Sequence, residues 1–188
     1  MRILIRVDAS GSIGSGHLVR CRSLARALNT QGAEVRFCSR FLSGPWRYAL
    51  ESEFSVFTFP ASASSSIDPK QGIWLPVTEV EDAKATLDCL AQQEGWQPDW
   101  VVVDQYGISS VWQQALRAAM PNLRIAVIDD LADRTHSPDL LVDHNIFGRA
   151  TATRYDALLP VDKEISRCLG SQFALGPALR KRNRAELR

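Results

Sequence analysis

Apolar residues along this chain fall into short runs that alternate with longer stretches where they recur at helical spacing. Ile3 to Val7 reads as a buried strand, after which Leu18, Cys21, Ala25 and Leu28 share one helical face and Arg20, Arg22, Arg26 and Asn29 the other. Gly32 stops that helix, and Glu34 to Ser39 is a second strand. Ser43, Gly44 and Pro45 open a short helix through Glu51, and Phe54 to Phe59 alternates aromatic and β-branched residues as a third strand. Ala61 to Pro76 is rich in Ser, with two prolines and a glycine towards its end, and reads as a mobile loop. Thr78 to Glu81 is a capping box that starts a helix running to about Glu94.

The second half keeps the same rhythm. Trp100 to Val103 is a continuous apolar strand of the parallel-sheet type, closed by Asp104, Gln105 and Tyr106. Ser109 or Ser110 caps a helix carrying Val111, Ala115, Leu116 and Ala119, which Pro121 ends. Ile125 to Ile128 is a strand ending in Asp129 and Asp130, and Leu140 to Val142 another ending in Asp143, His144 and Asn145. Ala157 to Val161 and Phe173 to Leu175 are candidates for short elements, and Arg180 to Arg188 is a basic, polar tail.

Strand and helix alternate without an internal repeat, so the expected class is α/β: a doubly wound, mainly parallel, Rossmann-like sheet. At 188 residues and 45% hydrophobic the chain buries a good core, read here as one domain over residues 1–175 and a basic linker over 176–188. Ligands of such sheets bind beyond the carboxyl ends of the strands. Asp8, His17, Arg40, Asp104, Gln105, Tyr106, Asp129, Asp130, Asp143, His144 and Asn145 all gather at that edge. A single strand-end acid is more often a helix cap or a loop anchor, but together they mark this edge as the place to look.

Asp8 to Cys21, DASGSIGSGHLVRC, joins the first strand to the first helix and puts Gly11, Gly14 and Gly16 in the turn. Bare backbone N–H groups and a helix N-terminus favour an anion or an electron-rich oxygen there. His17 stands at the helix mouth, where the positive helix end disfavours its cation and a neutral, proton-accepting ring is expected. The glycine spacing is that of a Walker A loop, yet His17 and Leu18 stand where Lys and Ser or Thr would be needed, against ATP hydrolysis. As a dinucleotide fingerprint it has Val19 at the third position, and the second strand ends in Ser39 and Arg40 rather than an acid, against NAD. The plainest alternative is a structural turn with His17 as a polar helix cap.

Bulk charge narrows the partners. A net charge of +1 with 23% charged residues selects neither nucleic acid nor an acidic membrane. Cys21, Cys38, Cys89 and Cys168 are scattered without a CxxC pair, which fits reduced thiols in the cytoplasm. The N-terminal apolar run is too short for a signal peptide, and no run reaches membrane-spanning length. Asp129 and Asp130, being consecutive at a strand end, point apart, so caps or anchors are expected in place of a magnesium site. No spacing around His136 and His144 fits tetrahedral zinc, and no metal or cofactor is expected.

Four runs, RVDASGSIGSGHLVRCRSLARAL (6–28), DWVVVDQYGISSVWQQALR (99–117), IAVIDDLADRTHSPDLLVDHN (125–145) and LGSQFAL (169–175), resemble in order and position the PseG family, the UDP-sugar hydrolases of pseudaminic acid biosynthesis. The resemblance covers nearly the whole chain and implies the N-terminal half of a glycosyltransferase-B-type fold. It implies release of UDP from UDP-2,4-diacetamido-2,4,6-trideoxy-β-L-altropyranose by an inverting attack of water at the anomeric carbon, without a metal. The family's catalytic histidine falls on His17, and its motif places Asp8 and the backbone of Gly14, Ser15 and Gly16 in the cleft. Asp8 is then expected to bond the imidazole or the sugar hydroxyls, and Arg40, Tyr106 and Asn145 to contact substrate. Where the family continues into a nucleotide-binding domain, this chain reads GPALRKRNRAELR over residues 176–188, so that half is expected from elsewhere, such as a separate chain. Two rival functions share the pattern: the acceptor domain of a glycosyltransferase, and a non-catalytic fragment or binding module that works only with a second half.

Overall fold

The computed structural model describes residues 1–42, 44–59 and 74–176. Its elements are β1 (Arg2–Val7), α1 (Gly16–Thr30), β2 (Glu34–Ser39), α2 (Gly44–Glu51), β3 (Ser55–Thr58), α3 (Glu79–Ala91), β4 (Trp100–Asp104), α4 (Ser110–Ala119), β5 (Arg124–Ile128), β6 (Leu140–Asp143) and β7 (Ser166–Leu169). The strands form one seven-stranded sheet in the order β3-β2-β1-β4-β5-β6-β7, every neighbouring pair parallel. The chain runs outward from β1 to β3, then returns to β4 on the opposite flank of β1. The β1/β4 boundary is therefore the topological switch point, where the loops after the two strands diverge and leave a crevice.

Strict alternation along the strands divides the core in two. Ile3, Ile5, Val7, Val102, Ala126 and Ile128 pack with Leu18, Cys21 and Ala25 of α1 and Leu50 of α2. Leu4, Val101, Val103, Ile125 and Val127 pack on the other face with Ala83 and Leu90 of α3 and Trp112 and Leu116 of α4. Both faces are covered, which is why these strands read as unbroken apolar runs.

Arg6 shares the α3 face and is wholly buried. Its guanidinium forks onto Asp82 of α3 at 3.0 and 2.9 Å and lies 2.7 Å from Asp8 Oδ1. Arg40 Nε reaches the same Asp82 carboxylate at 2.9 Å, and the Trp112 indole N–H donates to it at 3.1 Å. One acid thus ties α3 to β1, to the segment after β2 and to α4.

Thr78 and Glu81 form the expected capping box at the start of α3. Gly32, with φ of 82°, takes the left-handed turn that ends α1. The N-terminus of α4 is capped by Ser109, and Glu79 of α3 adds a second cap by accepting from the backbone of Ser109 and Trp112 at 2.7 and 3.1 Å. No helix among the described residues is long and apolar enough to cross a membrane.

Three sequence expectations change. Helix α3 stops at Ala91 rather than near Glu94. Ala157 to Val161 forms turns, while β7, unforeseen, adds an edge strand next to β6. Ser166 and Arg167 of β7 are exposed and Cys168 and Leu169 only half-buried, so its sequence carries neither an apolar run nor a clean alternation. The loop expected over Ala61 to Pro76 lies outside the described residues as far as residue 73, as do Ser43 and the basic tail.

Candidate active site

His17 is the second residue of α1, directly after the glycine turn, and the end of β4 lies beside it. Its Nδ1 is 2.5 Å from Asp104 Oδ1, and Asp104 is completely buried as the last residue of β4. Nε2 of His17 has no hydrogen bond among the described residues, and the residue keeps 7% of its surface exposed.

Arg20, three residues further along α1, comes over the same strand end. Its Nε and Nη2 grip the two oxygens of Asp104 at 2.5 Å each, and Nη1 reaches Asp130 Oδ2 at 3.0 Å. The expected solvent-facing position of Arg20 is thus corrected: it is buried because the i, i+3 relation sets it on the face of His17 and two carboxylates offset its charge. Burial opposes the Arg20 cation, but hydrogen bonds to Asp104 and then Asp130 outweigh it and raise its pKa above the ordinary arginine value. Burial likewise opposes the Asp104 anion, and the bonds from Arg20 and His17 overcome it and hold that carboxyl below its usual range.

Tyr106, two residues past Asp104, stands edge-on to the His17 ring with centroids 4.4 Å apart. Its hydroxyl donates to Asp130 Oδ1 at 2.5 Å, and burial together with that carboxylate pushes the phenol pKa up, so it stays protonated. Trp74 also packs edge-on against Tyr106, with centroids 4.9 Å apart. The loop after β5 separates its two acids. Asp129 turns inward to Arg134 at 2.7 Å and accepts the Ala132 amide at 2.9 Å, while Asp130 turns toward Arg20 and Tyr106. Ala132 takes a φ of 50°, the one left-handed non-glycine among the described residues, and such strain tends to collect beside functional sites.

The other sequence candidates spread around this centre. Asp8 is buried and does not serve the imidazole; Asp104 does. Asp8 Oδ1 accepts the Arg40 and Phe41 amides and the Ser39 hydroxyl at 2.7, 3.0 and 3.0 Å, and Oδ2 accepts from Gln105 at 3.2 Å. It clasps the loops after β2 and β4 across the end of β1. Arg40 is buried against Asp82 and the Phe59 ring. Gly14 has a φ of 83° and closes the turn by donating to the Ser10 carbonyl at 2.8 Å. Ser15 is the N-cap of α1 but makes no side-chain cap, and Gly16 opens onto free space, so the first amides of the helix are not covered by the turn. Asn145 is half-buried after β6, its amide bonded to Asp143 Oδ1 at 3.0 Å. No cluster of three metal-ligating side chains occurs among the described residues.

The sequence placed Asp104 and Asp130 at the ligand edge without giving either a role, and it did not gather Arg20 or Trp74 there at all. The spacing of Arg20 from His17 was the one available signal; the meeting of β1 and β4 is a property of the sheet.

A seven-stranded parallel sheet, helices on both faces and a polar cluster at its switch point define a Rossmann-like α/β fold. Among solved structures the chain is similar to MurG of Acinetobacter baumannii, with a TM-score of 0.51, 10% identity, and coverage of 87% of this chain and 44% of that one. The likeness is one of fold, of the glycosyltransferase-B type, and the chain spans less than half the length of that protein. No family model and no curated protein sequence matches the chain.

Proposed function

We propose that this chain is the base-bearing half of a nucleotide-sugar hydrolase, releasing UDP from UDP-2,4-diacetamido-2,4,6-trideoxy-β-L-altropyranose. The observation that carries it is His17, set at a helix mouth on the switch point, held by a buried carboxylate and with one nitrogen unbonded among the described residues. A diphosphate is a good leaving group, so the demand on the protein is an oriented water and a base. His17 takes a proton from water as the water oxygen bonds the anomeric carbon. The C–O bond to UDP breaks, and its electron pair leaves with the diphosphate. With the Gly14 amide already given to the Ser10 carbonyl, it is the amides of Ser15 and Gly16, at the helix mouth, that receive sugar or pyrophosphate oxygens. Tyr106 and Asn145 supply sugar contacts, and Asp8 and Arg40 hold the surrounding loops. The sugar's exact stereochemistry, a cytoplasmic setting and a nucleotide-binding half supplied by further chain or a partner belong to the same proposal.

His17→Asn, assayed by UDP release with the nucleotide-binding half present, is expected to lower the rate by about 10²–10⁴-fold, the usual worth of a general base. Release at the normal rate removes His17 from the role. The likeness of fold to MurG supports a second reading, the acceptor half of a glycosyltransferase. NMR of the products separates the two, since a hydrolase delivers free sugar and a transferase a glycoside.

A further inference from the structure

An imidazole acts as a base only through the nitrogen that carries no proton, so its tautomer decides whether His17 can act at all. Nδ1 meets Asp104 Oδ1 at 2.5 Å and Arg20 Nη2 at 3.1 Å. An ionised carboxylate only accepts and a guanidinium only donates, so the two neighbours ask for opposite states of Nδ1. The carboxylate contact is the shorter, and Nη2 already has a stronger acceptor in Asp104 Oδ1 at 2.5 Å. Nδ1 therefore carries the proton, and the lone pair sits on Nε2.

We propose that Asp104 and Arg20 are positioning residues that lock His17 in the Nδ1–H tautomer and so make Nε2 the base; this rests on the reading of His17 given above. Asp104 accepts the Nδ1 proton in a hydrogen bond without taking it. Arg20 holds both carboxylate oxygens with one fork, so the acid cannot rotate away from the ring. The third guanidinium nitrogen ties the fork to Asp130, and Asp130 takes the hydroxyl of Tyr106, whose ring borders His17. The orientation of the imidazole is thus set from three elements: β4, α1 and the loop after β5. When Nε2 accepts the proton of the attacking water, the imidazolium that forms faces the Asp104 anion. The ring then returns that proton to solvent.

The test is ¹⁵N NMR of the histidine rings in the intact protein, at a pH where they are neutral, with His17→Asn identifying the His17 signals. A protonated, pyrrole-type Nδ1 and a bare, pyridine-type Nε2 are expected. In Asp104→Asn the carboxamide donates to Nδ1, so the two nitrogens exchange type, and UDP release falls by about 10²–10⁴-fold with KM little changed. A wild-type ring protonated on Nε2 overturns the proposal, as does a folded Asp104→Asn protein that keeps the Nδ1–H form. Should Asp104→Asn fail to fold, the wild-type spectrum decides alone. The two readings fail separately. Normal UDP release by His17→Asn with an Nδ1–H ring in the wild type ends the hydrolase reading and leaves the lock standing. Lost release with an Nε2–H ring does the reverse.

Discussion

His136 is a second buried imidazole, and the protein stores it without charge. Gln113 is oriented by accepting the Ser137 amide at 2.6 Å, so its Nε2 donates to His136 Nδ1 at 3.0 Å. Burial and then the nearby Arg134 cation push the His136 pKa down to about 4. Because the native value lies below the unfolded value of about 6.5, the unfolded chain takes up the proton first as pH falls. The associated stability is complete above about pH 6.5 and is lost toward pH 4, amounting to about 3 kcal/mol. Urea titrations across that window are expected to show the slope in the wild type and a flatter one in His136→Gln. An equal slope in both assigns the acid sensitivity to other groups. At this scale the glycine turn drew attention to His17 and offered the imidazole or sugar hydroxyls as partners of Asp8, whereas the structure sets Asp104 against the ring. Asp8 and Asp104 both end strands, and only the lateral order of those strands decides which carboxylate meets the imidazole.

Helix α3 is tied down by a buried acid as well as by its apolar face. Asp82 is buried among Arg6, Arg40 and the Trp112 indole, and the two cations hold its carboxyl below the usual range against the opposing effect of burial. Asp82→Ala leaves those guanidiniums buried with less counter-charge and is expected to cost about 3–5 kcal/mol in denaturant unfolding. Lys84→Ala, two residues further along the same helix but in solvent, breaks a pair whose side chains are 74% and 58% exposed and is expected to cost about 0.5 kcal/mol or less. Similar losses for the two would refute the buried lock. Most elements were legible because each reports its own period and caps: the Thr78 capping box, the Gly32 stop and the apolar runs of β4 and β5. The edge strand β7 escaped because it packs on one side only and takes its pairing from β6, and the capping of α4 by Glu79 joins residues from two separate helices.

The whole sheet has its crevice where β1 and β4 meet, and the described residues there bring together an imidazole, the groups that hold it and an aromatic wall. On the proposed function, the contacts to the nucleotide lie in a second half. Isothermal titration of UDP into this chain alone is then expected to show no saturable binding in the roughly micromolar range. Tight binding of UDP would remove the need for a second half.

Period, composition and turn chemistry were enough to determine the class, the succession of elements as far as β6 and the edge of the sheet where polar groups collect. Those signals are local, each carried by residues a few positions apart. Only the tertiary structure decided that Asp104 faces His17, that Arg20 turns inward and that Asp8 clasps loops. These facts depend on which strands become neighbours and on charges that stay buried only when their partners arrive from distant parts of the chain.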